Sequence, residues 1–425
     1  MQDMVLAGHA RPVLPTTESG YKLYSSIYGG RLFSPPVTNY QTNPRLKDSN
    51  GDGFPDVSST AFANATLSGS VVPLGDGSYI HRVTLTGLAG VASVLSFLLG
   101  GASSSAGTFT TADSIAAQVV ARVESASGCG LRLYITSRDS GDYAINGTQQ
   151  IVTGGAFQRW SAVHNCSADA GTSRACIYLQ VYDFHEGDSI TFEFYHPMMA
   201  KSSVVGPYFD GSTPGCSWAG TVDASISALA VSILRYTTGL PGLGTQLHAA
   251  TLACNFTPIF PSVASFMYHQ PVYLSMVPGL SSYMTLRTGG ASTAGCQRQD
   301  SLAGDKWSMR TPVSWAANQT LKWVGRFDDT TLDFAMDGVN ASQTAHTLQA
   351  EQLLWLTMTG TVGLMGGGGW YLGNVLYSPT RKSAAWTAAF ASAPNDPMLL
   401  FREFVAVGDL FVPLHSDSVG YVKTA

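Results

Sequence analysis

Apolar and polar residues alternate with a period of two along much of this chain, and that pattern points to half-buried β-strands. Leu131, Leu133 and Ile135 alternate with Arg132, Tyr134 and Thr136. Ile177, Leu179 and Val181 alternate with Tyr178, Gln180 and Tyr182, and Ile190, Phe192 and Phe194 with Thr191, Glu193 and Tyr195. Leu321, Trp323 and Phe327 run opposite Lys322 and Arg326. Leu332, Phe334 and Met336 lead into Asp337-Gly338, a two-residue hairpin signal. Successive strand side chains point to opposite faces, so each run predicts an antiparallel strand with one face on a core and one on solvent. Helical spacing is confined to a short stretch around Lys382 to Ser392, where Trp386 and Phe390 stand four apart.

Many short strands between Gly, Ser and Asp turns predict an all-β fold: two tandem antiparallel β-sandwich (jelly-roll) domains with an extended N-terminal arm. Residues 1–40 carry Pro12, Pro15, Pro35 and Pro36 with little periodicity and read as the arm. Residues 41–213 are a first strand-rich block, 214–224 a Gly/Ser/Thr linker, 225–392 a second block and 393–425 a C-terminal tail with apolar patches. A length of 425 residues and a hydrophobic share of 45% supply enough core for two such domains.

Charge narrows the partners. Only 12% of residues are charged and the net charge is −5, without a Lys/Arg cluster. Phosphate backbones need such a cluster, so nucleic acid is not an expected partner. Leu88 to Ala102 is the most apolar stretch, but its glycines and serines predict a buried strand pair and no membrane insertion. The N-terminal Met1-Gln2-Asp3-Met4 lacks the basic-then-apolar pattern of a secretory signal, which favours free thiols for the six cysteines. No cysteine pair has CxxC spacing.

Two motifs stand out. In Asp48-Ser49-Asn50-Gly51-Asp52-Gly53-Phe54-Pro55-Asp56, oxygen-bearing residues recur at alternate positions. Asp48, Asn50, Asp52, Asp56 and the Phe54 carbonyl are candidate ligands for Ca2+, a hard cation that takes six to eight oxygens; the alternative is an Asp/Asn/Gly turn without metal. The second motif runs from Tyr208-Phe209-Asp210-Gly211 to Trp218. Tyr208, Phe209, Asp210 and Trp218 read chiefly as inter-domain linker contacts, with sugar stacking by the aromatic rings as the other reading.

No catalytic residues are assigned, and a non-enzymatic role is expected. The six glutamates, Glu18, Glu124, Glu186, Glu193, Glu351 and Glu403, lack distinctive contexts, whereas a glycosidase needs two carboxylates across a cleft. No GxSxG surrounds a serine, and the nine histidines show no HExxH pair. Asp333 is expected on a solvated outer strand face.

Several of these segments resemble known families. Asn43-Pro44-Arg45-Leu46 with the acidic-Gly loop, Phe157-Gln158-Arg159-Trp160-Ser161, Ile190-Thr191-Phe192 and Met198-Met199 resemble carbohydrate-binding-module-type jelly rolls. Tyr208 to Ser225 is similar to the joining segment in tail proteins of long-tailed phages. Leu332-Asp333-Phe334-Ala335-Met336-Asp337-Gly338 and Trp370 to Tyr377 with a short helix after them resemble concanavalin-type or laminin-G-like sandwiches. The resemblance implies a virion structural protein of a phage tail, a minor tail or tail-tip/fibre component. It would be made in the host cytoplasm and assembled with other tail proteins and copies of itself as a trimer or ring. Contact with host-surface glycans is compatible with it. The alternatives are a carbohydrate-binding adhesin, a capsid decoration protein and, least favoured, a polysaccharide-degrading enzyme.

Overall fold

In a computed structural model the chain is described for residues 9–19, 24–25, 30–33, 37–56, 62–99, 107–259, 261–262, 270–276, 283–288, 293–300, 304–341, 344–345, 350–359, 370–414 and 418–424. It is nearly all β and divides into two compact units, residues 37–229 and residues 1–36 with 230–425. Every strand pairing among the described residues is antiparallel, apart from an isolated bridge between Leu243 and Leu353.

The first unit, 37–229, is a sandwich. One sheet orders Gln158–Asn165, Ser114–Ser127, Ser189–Lys201, Tyr79–Gly87 and Ala65–Pro73. The other orders Ala144–Val152, Gly130–Arg138, Arg174–Tyr182 and Val94–Leu98. The alternation fixes the inner faces: Leu131, Leu133, Ile135, Ile177, Leu179, Val181, Ile190, Phe192 and Phe194 are all buried in one core. Within it Phe97 meets Phe192 and Phe194 edge-on, with centroids 6.3 and 5.4 Å apart. The expected linker is part of this unit. Cys216–Trp218 pairs with Ser227–Leu229, which pairs in turn with Val37–Asn39. Of the apolar stretch Leu88 to Ala102, Val94–Leu98 is a strand on Arg174–Tyr182, and residues 100–102 lie outside the described residues.

In the second unit one sheet orders Ala10–Val13, Gly420–Lys423, Leu410–Pro413, Trp370–Ser378, Ala250–Pro258, Leu321–Phe327, Thr331–Met336 and Val339–Asn340. A second orders Thr17–Ser19, Ile233–Tyr236, Trp355–Thr359, Val272–Ser275, Tyr283–Thr288, Ala294–Asp300 and Gly304–Arg310. The sheets face each other: Tyr283–Thr288 lies against Leu321–Phe327, and the Arg298 guanidinium sits 5.4 Å over the Phe327 ring. The Asp337-Gly338 hairpin forms as expected, with φ of 49° and 77° at its two turn residues.

Three expectations for this unit are corrected. The arm is not extended away from the domains: Ala10–Val13 pairs with Gly420–Lys423, Thr17–Ser19 with Ile233–Tyr236 and Gly30–Phe33 with Trp370–Ser378. The tail likewise contributes a helix, Pro397–Phe404, and two sheet strands. The buried Arg31 guanidinium binds Glu18, and Ser418 Oγ lies 2.8 Å from it, so an ion pair from the N-terminal strands is braced by a C-terminal residue. Third, Leu321–Phe327 is not half-buried, since all seven of its residues are buried. The face carrying Lys322 and Arg326 is covered by helices α1 (Ala384–Ser392) and α2 (Pro397–Phe404), which pack Phe390, Leu400 and Phe401 with Ala253, Val324 and Leu376 of the sheet. Helix α1 matches the expected 382–392 stretch; Ser383 caps it through Trp386 N, and Trp386 stacks on Phe390 at 5.1 Å.

Candidate ligand-binding face

The outer face of the four-stranded sheet in the first unit collects a set of side chains with one character. Tyr134 and Arg132 project from Gly130–Arg138, and Tyr178, Gln180 and Tyr182 from the neighbouring strand, on the side opposite Leu133 and Leu179. Gln149 and Ile151 join them across the ladder from Tyr134 and Arg132, and Ser96 and Val94 from Gln180 and Tyr182. The tyrosines are half-buried, while Ile151 and Val94 are 37% and 41% exposed.

Hydrogen bonds hold this face in one arrangement. Arg132 donates from Nε to Gln180 Oε1 at 3.0 Å and from Nη1 to Gln149 Oε1 at 2.5 Å. Gln180 Nε2 donates to Ser96 Oγ at 2.8 Å, and Arg138 Nη2 to the Tyr178 hydroxyl at 2.6 Å. The Arg132 guanidinium lies 5.7 Å from the Tyr134 centroid and 5.3 Å from that of Tyr182. Two glycines make room for the rings. A Cβ on Gly130 would fall 2.5 Å from Tyr182 Cζ and Oη, and one on Gly147 would fall 2.6 Å from Tyr134 Cζ and Oη. The phenols therefore lie across neighbouring strands. Burial pushes the Tyr178 hydroxyl well above its ordinary pKa, so the phenol is neutral. Flat apolar rings interleaved with amide and guanidinium groups can stack on an apolar ring face and bond its hydroxyls. The alternation in sequence placed these side chains outward; their gathering on one sheet depends on pairings that the sequence does not display.

The expected loop 48–56 folds around its own amides. Asp48 accepts from Gly51 N at 2.8 Å and Gly53 N at 2.9 Å. Asn50 Oδ1 accepts from Asp52 N, Asp52 Oδ1 from Phe54 N and Asp56 Oδ1 from Ser49 N. Asn50 Nδ2 donates to Asp52 Oδ2 at 2.9 Å. The Phe54 ring points into the core. These are nested Asx turns, in which most of the candidate oxygens already have donors. Buried Asn43 braces the loop by donating to Lys47 O and Asp56 O.

Tyr208, Phe209, Asp210 and Trp218, read from the sequence as linker contacts, make several contacts inside the first unit. The Tyr208 ring stacks on His196 at 4.0 Å and 10°, and its hydroxyl donates to Pro44 O and Asp210 Oδ2. Phe209 is buried, and its carbonyl accepts from Asn39 Nδ2. Asp210 Oδ1 accepts from Ser212 N and Thr213 N, and Trp218 Nε1 donates to Ser212 Oγ. His196 has φ 52° at a bulge in its strand, and burial lowers its pKa. Ser78 Oγ and Asp76 Oδ2 both bond its Nε2, at 2.8 and 3.0 Å. A hydrolytic triad sets serine and carboxylate on opposite ring nitrogens, so this trio lacks that arrangement.

Sequence reasoning missed two further clusters. Buried His164, Cys166 and Asp169 bring one ligand atom each within 4.8 Å of one another. The Asp169 carboxylate takes His164 Nε2 at 2.6 Å, Ser137 Oγ at 2.7 Å and Asn146 Nδ2 at 3.1 Å, while His164 Nδ1 bonds Thr148. Its bonds knit three strands and a 3-10 turn, and only the close sequence spacing 164–169 hinted at it. In the second unit Asp333, expected in solvent, is 6% exposed and bound by Arg326 and Arg381. Four of the six glutamates are likewise engaged with arginine: Glu18, Glu124, Glu193 and Glu351. All six cysteines are free thiols.

No protein-family profile matches the chain, and no curated protein sequence matches it. Among solved structures it is similar to a native heptameric SAP-like pentraxin from Limulus polyphemus, with TM-score 0.32, 12% identity and coverage of 45% of this chain and 88% of the pentraxin. The binding domain of botulinum neurotoxin serotype D gives TM-score 0.30, 7% identity and coverage of 38% and 40%. A K499G mutant of NanB sialidase from Streptococcus pneumoniae gives 0.28, 14%, 35% and 24%. The chain thus spans well under two thirds of the toxin and sialidase chains it matches. The strand order defines the class by itself: an all-β protein of antiparallel sandwiches.

Proposed function

We propose that this protein is a non-catalytic structural protein of a phage tail whose first unit contacts host-surface glycan through the outer face of its four-stranded sheet. The observation that carries the glycan part is the set Tyr134, Tyr178 and Tyr182 held on one face among Arg132, Gln149 and Gln180. Sugar rings offer apolar C–H faces to such phenols and hydroxyls to such amides. The tail assignment draws support from the resemblance of Tyr208–Ser225 to phage tail joining segments, a segment that here braces the first unit around His196. Calcium at the 48–56 loop is not needed by this reading.

Two experiments test it. Glycan-array binding of the purified protein, followed by titration of the best ligand, should show signal that Tyr134→Ala, Tyr178→Ala and Tyr182→Ala each weaken. Silence across envelope glycans would sink the glycan reading. Antibody labelling of purified particles should decorate the tail; label confined to the head would replace the tail assignment with capsid decoration.

A further inference from the structure

We propose that a cleft in the second unit binds the carboxylate of an acidic sugar. The cleft holds about 350 Å³ and is lined by Arg326, Asp333, Asn340, Ala341, Arg381 and Ala384. That volume lies at the small end of the range of about 300–1,000 Å³ for small-molecule sites, suited to a single ring.

Its charge is unbalanced toward cations. Arg326 and Arg381 share one lining carboxylate, Asp333, which takes Arg326 Nε at 2.6 Å on Oδ1 and Arg381 Nη2 on Oδ2. Arg326 Nη1 donates to Lys382 O at 3.0 Å. Arg381 Nη1 lies 3.5 Å from Asp328 Oδ2, outside the lining, and Asp328 Oδ1 is taken up by the amides of Thr330 and Thr331. Arg381 Nε is buried with no hydrogen-bond partner. A buried donor left open is costly to the fold.

A second feature adds to the same field. Helix α1 begins at Ala384, on the rim. Ser383 takes Trp386 N with its side chain and Thr387 N with its carbonyl. The amides of Ala384 and Ala385 have no acceptor within the helix, and Ala384, at the positive end of its dipole, lines the cleft. Two guanidiniums and a helix start thus border one small space. Asn340 adds an amide for sugar hydroxyls, and the short Ala341 and Ala384 leave room for a ring. The inference goes beyond the tyrosine face, which lies in the other unit, and does not depend on it.

The test is isothermal titration of the whole protein with D-glucuronate, D-glucose and sulfate. Glucuronate should bind saturably and glucose should not. Arg381→Gln and Ala384→Asp should each weaken glucuronate by about tenfold or more. Ala384→Asp also serves as the folding control, because an acidic residue at a helix start favours the helix while its carboxylate fills the cleft. Tyr182→Ala should leave glucuronate binding unchanged, so failure here is separable from failure of the glycan face. Glucuronate binding no better than sulfate, or full affinity in a folded Ala384→Asp protein, would overturn the proposal.

Discussion

Replacing Gly130 with alanine tests the tyrosine face with one methyl group. The new Cβ would stand 2.5 Å from Tyr182 Cζ and Oη and 2.7 Å from Cε1, the three nearest atoms to it. Carbon contacts begin near 3.5 Å, so the ring must move by about 1 Å. Its edge is half-exposed, and moving it disturbs no backbone atom among those three neighbours. The stability cost should stay within about 0.5–1 kcal/mol, a Tm decrease of roughly 2–4 °C or less. Stacking depends on ring position. Losing one aromatic contact of about 0.5–1.5 kcal/mol weakens binding roughly 2- to 13-fold. The assay is titration calorimetry against the best array glycan, beside differential scanning calorimetry. Tyr182→Ala sets the ceiling of the effect. Gly147→Ala makes a contrasting control, because its Cβ would also fall 2.5 Å from the Ile135 carbonyl oxygen and should cost more stability. Unchanged affinity in Gly130→Ala beside a large loss in Tyr182→Ala would refute the claim that ring placement matters.

Four other outcomes are expected. Buried His81 donates from Nε2 to Leu46 O, and burial lowers its pKa below 6.5. The unfolded chain then takes up the proton first, so stability is full above pH 6.5 and is lost as pH falls through the folded value; denaturant melts at pH 7 and 5 should show this, and His81→Gln should flatten it. Burial raises the Cys176 thiol from 9.0 to about 11, so its contribution holds below pH 9.0 and declines up to about 11; Cys176→Ala should reduce the alkaline loss in the same melts. Asp169→Ala strands three donors in the core and should cost about 3–5 kcal/mol by urea unfolding, whereas a loss below 1 kcal/mol would mean the cluster is wetter than its burial indicates. Calcium added after chelation should shift Tm by less than about 1 °C; a rise of several degrees would mean that loop 48–56 reorganises around the cation.

What was legible in the sequence was local. The alternation at 131–136, 177–182 and 190–195, the Asp337-Gly338 turn and the Trp386/Phe390 helix are each set by neighbours a few residues apart. What was not legible was non-local. Ala10–Val13 shows no strand pattern of its own, and its partner Gly420–Lys423 lies at the other end of the chain. Lys322, Arg326 and Asp333 read as a solvated face because polar residues usually are; two helices with the arginine pairing overrule that. The three tyrosines were visible as outward residues, yet only the ladder between Gly130–Arg138 and Arg174–Tyr182 makes them neighbours.

The closing of the second unit by strands from both ends bears on the order of synthesis. Residues 37–229 form a compact unit inserted between the segments that make the other. On the ribosome the inserted unit has all its strands well before Leu410–Pro413 and Gly420–Lys423 exist. The N-terminal strand Ala10–Val13 must wait for them, unpaired along that edge, through the remainder of translation. Such long waits favour slow folding and strand capture by other chains. Removing the last strand should therefore act on the beginning of the chain, freeing its first segment to proteolysis while the inserted unit stays resistant.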